Sequence, residues 1–185
     1  MNRDVDDRAL EEADRLINDP LPFAAELPDV SELDRMLHLL EGDEAYSIRH
    51  RPPPPLSTEV GNEQVRAYYQ LHPQHPMADD DRARNRRRAA FLILNCAARQ
   101  SSAFTPQRME SLHRCVFDCD ASVRHDLVKA IAKIGSSASA AVVQELARIE
   151  PESDMVLAMA TLMCKRLGAK GAEQRHAADG ATHRR

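Results

Sequence analysis

Five arginines fall within seven residues: Arg82, Arg84, Arg86, Arg87 and Arg88. A guanidinium is a planar fork of donors that grips a carboxylate or a phosphate through two parallel hydrogen bonds. The cluster therefore has the chemistry to hold an acidic peptide or a nucleic-acid backbone. On a helix, at about 100° per residue, the five spread around the axis instead of forming one stripe. A solvated helix start balanced by Asp79, Asp80 and Asp81 accounts for the same run. A net charge of −4 and the lack of a large basic footprint weigh against nucleic acid as the main partner.

Other chemistry-bearing residues are weaker candidates. His113, Cys115 and Cys119 could suggest a metal, but a structural zinc site takes four such ligands and no fourth is apparent. Cys115 also flanks an apolar stripe, so core packing is the better reading of the cysteines. His72 and His75 are held in an extended loop by Pro73 and Pro76. Arg49-x-x-Pro52-x-x-Pro55 has the spacing of a polyproline ligand, and a stiff connector explains the same residues. There is no Gly-rich phosphate loop, nucleophile elbow or H-E-x-x-H motif. With three Tyr and no Trp, little is left for an aromatic base-stacking cleft. The expectation is a chain that is not an enzyme and uses no cofactor or metal.

The elements that must position these residues are helices. Aromatics make up only 4% of the chain, so Leu, Ala, Val, Ile and Met fill the core, which suits helix-on-helix packing. The apolar spacing predicts helices at about 4–18, 32–41, 58–71, 79–99, 106–117, 120–134, 138–149 and 152–167. Asp4 or Asp6 can cap the first, and Ser31 with Asp34 resembles a capping box for the second. Thr105-Pro106 gives an N-cap followed by Pro at the first helical position. Gly42, Gly135 and Gly168 are natural stops. Asp19-Pro20-Leu21-Pro22 ends the first helix, and Pro52–Pro55 favours a polyproline II rod.

Charge is unevenly distributed. Residues 1–48 hold 14 acidic and 4 basic side chains, residues 49–100 hold 5 and 9, and residues 101–185 hold 10 and 12. Such a gradient marks an electrostatic surface within the chain or toward a partner. It suggests that the first two acidic helices cover the Arg82–Arg88 region. The chain divides into acidic N-terminal helices (1–48), a Pro-rich connector with one helix (49–78), a repeat core (79–168) and a disordered tail (169–185). No apolar run approaches the ~18 residues of a membrane span. The acidic N-terminus has no secretory h-region, and the four cysteines read as reduced thiols, so the expected location is cytoplasmic.

Asp120-x-x-Val123-Arg124, then Leu127-Val128, Ala130-Ile131 and Ile134-Gly135, forms a pattern that returns about 33 residues later. There Ser153, Val156, Ala160, Met163-Cys164 and Leu167-Gly168 take the same places. It also appears 40 residues earlier as Asp80, Ala83-Arg84, Ala90-Phe91 and Leu94. Over about 79–168 the chain resembles HEAT-like helical repeats, of the short kind also seen in phycobilisome lyase-type proteins. The resemblance implies an all-α, solenoid-like stack of antiparallel helical hairpins. It also implies that Asp120 and Arg124 pair with neighbouring repeats; the third copy departs from the pattern, with Ser153 and Leu157 in those places.

Stacked hairpins present their second helices on an extended surface. Here that surface would offer some of Arg84, Arg87, Arg88, Arg124, His125, Lys129 and Lys133 to an acidic segment of a protein partner. The expected function is a non-catalytic interaction adaptor or regulator. The alternative is a nucleic-acid-associated module using the Arg82–Arg88 cluster, and nothing in the sequence fixes the oligomeric state.

Overall fold

The computed structural model describes residues 5–18, 30–42, 44–50, 57–150 and 153–167, with the side chains of 30, 44 and 57–62 excepted. The stop at Asp19–Pro22, the Pro52–Pro55 rod, Gly168 and the 169–185 tail lie outside the described residues. Among the described residues there are eight helices and no strand. They are α1 (Asp7–Asn18), α2 (Val30–Glu41), α3 (Ser57–Leu71), α4 (Asp80–Arg99), α5 (Pro106–Cys115), α6 (Ala121–Ile134), α7 (Ala140–Ile149) and α8 (154–167). Short 3-10 turns at Glu44–Tyr46, Ser101–Ala103 and Ser137–Ser139 join some of them. No described helix is long and apolar enough to cross a membrane.

Local chemistry explains most boundaries. The Asp79 carboxylate accepts from the Arg82 N–H and starts α4, with Asp80 and Asp81 in the first turn. Thr105 Oγ1 accepts from the Arg108 N–H, with Pro106 behind it. Asp120 Oδ1 accepts from the Ser122 N–H at 2.8 Å, and Gly135 ends α6 at φ 68°. In that left-handed conformation a Cβ is costly, so glycine fits where other residues strain. Asp6 caps α1 through the Ala9 N–H. The capping box expected at Ser31 and Asp34 falls inside the helix: α2 begins at Val30, and the Asp34 carboxylate pairs with Arg108. Val116 and Phe117 lie past the end of α5 and still reach the core.

α4 and α6 lie side by side, in the most extensive contact among helices α1–α7. α2 packs against both α4 and α5, and α5 packs against α6. The core runs from Leu33, Met36, Leu37 and Leu40 of α2 through Ala90, Ile93 and Leu94 of α4 to Val123, Leu127 and Ile131 of α6. It ends on Val156, Met159, Ala160 and Met163 of α8. Each fully buried Leu or Ile contributes roughly 1.5–3 kcal/mol of transfer free energy. α1 adds Ala13 and Ile17 to the same core and packs against α6.

The stretch 44–50 is docked onto this core. The Ile48 N–H donates to the Phe117 carbonyl at 2.9 Å, and the Arg49 guanidinium lies 3.5 Å over the Phe117 ring. Arg49 also grips Glu145 of α7 with two hydrogen bonds, of 2.7 and 3.2 Å. The division expected between residues 48 and 49 thus falls inside one docked segment.

Candidate functional site

The arginine run resolves into two directions. Arg86 turns inward, is buried, and is ion-paired to the equally buried Asp118. Arg84, Arg87 and Arg88 project outward from one arc of α4, about 100° wide by helical geometry. Arg84 is 74% exposed and pairs with Asp81 at 3.1 Å. Arg87 is 51% exposed, and its Nε lies 2.5 Å from the Asp120 carboxylate at the start of α6. Arg88 makes no ion pair among the described residues.

The segment between α5 and α6 organises the charges inside. Asp118 Oδ1 accepts the Asp120 N–H at 2.8 Å. Burial pushes the Asp118 carboxyl up in pKa, and the Arg86 guanidinium opposes that shift. Further along, on α6, Arg124 is completely buried. It pairs with Glu150 through Nε and Nη2, at 2.8 and 2.6 Å, and its Nη1 donates to the carbonyls of Asp118 and Cys119. Glu150 Oε1 in turn accepts the Ser153 N–H ahead of α8. Arg86 and Arg124 thus each reach from one long helix to an acidic residue in front of another.

The predicted partner-binding set is therefore divided. Arg84, Arg87 and Arg88 are exposed as expected. Arg124 is a correction: it is sealed in the interior by its pairing with Glu150 and cannot meet a partner. Lys129 is also mostly buried, at 9% exposure, and makes no ion pair among the described residues. His125 is half-buried with its Nδ1 3.1 Å from Asp126, and Lys133 is half-buried. Ser122 is the one exposed side chain of α6.

The acidic helices do not spend their charge on Arg84, Arg87 or Arg88. Asp34 of α2 holds Arg108 of α5 in a bidentate pair of 2.7 and 2.8 Å, which draws the Asp34 pKa down. Glu41 holds Arg114 at 2.6 Å, and Asp14 of α1 is ion-paired to Arg166 of α8. The expected cover is absent over Arg84, Arg87 and Arg88, which stay exposed: α2 packs against α4 and α5 but pairs its carboxylates with α5, and α1 packs against α6 and pairs with α8.

The histidines and cysteines settle into structural surroundings. His113 Nε2 lies 2.9 Å from the buried Ser139 Oγ. Cys115 Sγ donates to the Leu37 carbonyl, and burial raises its thiol pKa together with that of Cys119. All three tyrosines gather around the buried His75, with Tyr46 at 5.1 Å, Tyr69 at 5.2 Å and Tyr68 at 6.0 Å between ring centroids. His75 Nδ1 accepts the Met77 N–H, so that nitrogen carries no proton. These rings fill one another's space and tie α3 to the Glu44–Tyr46 turn. The cluster was not legible in the sequence because Tyr46 stands 22 residues before Tyr68.

No family model, no curated protein and no solved structure matches this chain.

Proposed function

We propose that this chain is a non-catalytic helical-repeat module that binds an acidic segment of a protein partner. On this reading α2–α4, α5–α6 and α7–α8 are stacked antiparallel hairpins of a HEAT-like solenoid. Two features support the stacking. First helices meet first helices (α2 on α5) while second helices meet second helices (α4 on α6). The pairs Arg86–Asp118 and Arg124–Glu150 repeat one connection between successive units. Repeats that cover one another's apolar faces leave an extended outer surface for ligands.

The observation that carries the binding role is the outward arc of Arg84, Arg87 and Arg88. Arg88 has no counter-ion among the described residues, and Arg84 has only a screened contact with an exposed aspartate. Guanidinium groups with spare donors are suited to carboxylate recognition. Exposed Asp80 and Asp81 beside them, and Asp126 on α6, break the basic surface into patches, which favours a protein over a nucleic-acid backbone.

The test compares the wild type with the double variant Arg84→Glu/Arg88→Glu in affinity capture from native lysate, at low and moderate salt, with nuclease. Arg87 is left intact because it also serves Asp120. A stoichiometric protein that survives nuclease and is lost with the double variant supports the reading. Capture that vanishes with nuclease points to nucleic acid, and capture indifferent to the double variant removes the α4 surface from the account.

A further inference from the structure

The outward side of α6 carries a charge that the fold does not answer. Lys129 stands two residues from Leu127 and two from Ile131, both fully buried, so it leaves the helix about 160° away from that core stripe. It is nonetheless only 9% exposed. Its side chain has no ion pair or hydrogen bond among the described residues. The acid placed to serve it is Asp126, three residues earlier and a neighbour on the helix surface. That carboxylate is turned to His125 instead, 3.1 Å from its Nδ1. Lys133, four residues further on, is half-buried and equally without an ion pair among the described residues. Two like charges at this spacing repel each other.

We propose that Lys129 and Lys133 form an oxyanion site on α6, with phosphate as the class of ligand. An ammonium withdrawn from water without a counter-charge is costly, and a bound anion removes that cost. Each ammonium brings three donors and no acceptor, so the ligand must accept. Four residues of helix rise about 6 Å, a span that two long lysine side chains close on one tetrahedral anion. A phosphate group carries about two negative charges and answers both lysines at once, where a single carboxylate answers one. Ser122 is the one exposed side chain of α6, so a compact group reaches the Lys129 amine more readily than a chain laid along the helix. The site lies apart from the Arg84–Arg88 arc of α4 and does not rest on the proposed binding role.

The probe is inorganic phosphate, added to full-length protein and compared with sodium chloride at equal ionic strength. Thermal melting and amide chemical shifts in heteronuclear NMR spectra are the readouts. A ligand that binds only the native state raises Tm as its concentration rises. Phosphate should raise Tm beyond chloride, with the largest amide shifts at residues 125–133. Lys129→Met keeps an apolar stem and removes the charge. Without phosphate this variant should melt at or above wild type, because no counter-charge is orphaned. Its phosphate affinity should fall at least about tenfold, as fits the loss of one charge-assisted hydrogen bond.

Phosphate that acts no differently from chloride overturns the inference, and so does a phosphate effect that Lys129→Met retains. Should Lys129→Met not fold, Lys133→Met takes its place with the same expected loss. The double variant Arg84→Glu/Arg88→Glu separates this site from the α4 surface. Phosphate binding that survives in it supports the α6 site whatever becomes of partner capture. Shifts centred on α4 and abolished in that variant overturn it.

Discussion

Arg124 of α6 and Glu150, which precedes α8, face each other as a bidentate pair of 2.6 and 2.8 Å, with neither side chain reaching solvent. The remaining groups are also satisfied locally. Arg124 Nη1 donates to two carbonyls at 2.8 and 3.1 Å, and Glu150 takes the Ser153 N–H at 3.0 Å. Desolvating two charges is expensive, and the pair is tolerated because each partner neutralises the other. Arg124→Met leaves Glu150 as an uncompensated buried carboxylate and should cost about 3–5 kcal/mol. Glu150→Gln keeps an acceptor oxygen for Arg124 and Ser153 but leaves the buried guanidinium without its counter-charge, so it too should cost about 3–5 kcal/mol. Replacing both, as Arg124→Met/Glu150→Leu, removes both charges and should cost less than the sum of the two single losses. Urea unfolding of the three variants checks this; additive losses would mean that the pair is not the keystone between α6 and α8.

Asp120 has two tasks that substitution can separate. Its Oδ1 caps α6 through the Ser122 N–H, and its Oδ2 meets the half-exposed Arg87 of α4. Asp120→Asn retains a capping oxygen and loses the charge contact between a buried carboxylate and a half-exposed guanidinium, so it should cost about 1 kcal/mol. Asp120→Ala removes the cap as well and should cost about 1–2 kcal/mol more. Thermal melts of both variants decide the matter: equal losses would show that the charge on Arg87, not the cap, sets the contribution.

How far the sequence carried the reading depends on the range of the interaction. Thr105-Pro106, Asp79, Asp120 and Gly135 act within one turn of chain, and the structure has each where its chemistry points. Ser31 and Asp34 look equally like a cap, yet the carboxylate goes to Arg108, 74 residues away, which no local rule detects. The same limit explains the arginine run. Spacing shows that five side chains cannot share one face, but it does not show which one turns inward. Arg86 is buried because Asp118 stands across from it, and that neighbour is set by how α4 lies beside α6. The sequence pattern points to Arg84 as the counterpart of Arg124, whereas the buried, ion-paired arginine of α4 is Arg86. Glu150 carried no signal at all, being an ordinary acidic residue ahead of a Pro.

The thiols offer a test of the core. Cys96, Cys115 and Cys119 are buried, Cys164 is half-buried, and burial raises the pKa of all four. The thiolate is the reactive form, so raised pKa and restricted access act together. In native protein at pH 8, a disulfide reagent should modify Cys164 slowly and the other three only on global unfolding, with all four reacting at once in denaturant. Early loss of Cys115 or Cys119 would contradict the packing of the segment between α5 and α6.

His113 gives the fold a pH dependence whose sign follows from its surroundings. The ring is half-buried, its Nε2 lies 2.9 Å from Ser139 Oγ, and burial lowers its pKa although Glu110 pulls the other way. The folded state therefore favours the neutral ring more than the unfolded chain does. The resulting stability is present above the unfolded value near 6.5 and is lost as pH falls through the lower folded value. Wild type should show a lower urea midpoint at pH 5.5 than at pH 7.5, beyond whatever drop the carboxylates cause. His113→Gln keeps a polar group beside Ser139 without a proton to gain, so its midpoint should fall less over the same interval. An identical fall in both proteins would place the titrating group elsewhere and leave the contact of α5 with the Ser137–Ser139 turn indifferent to pH.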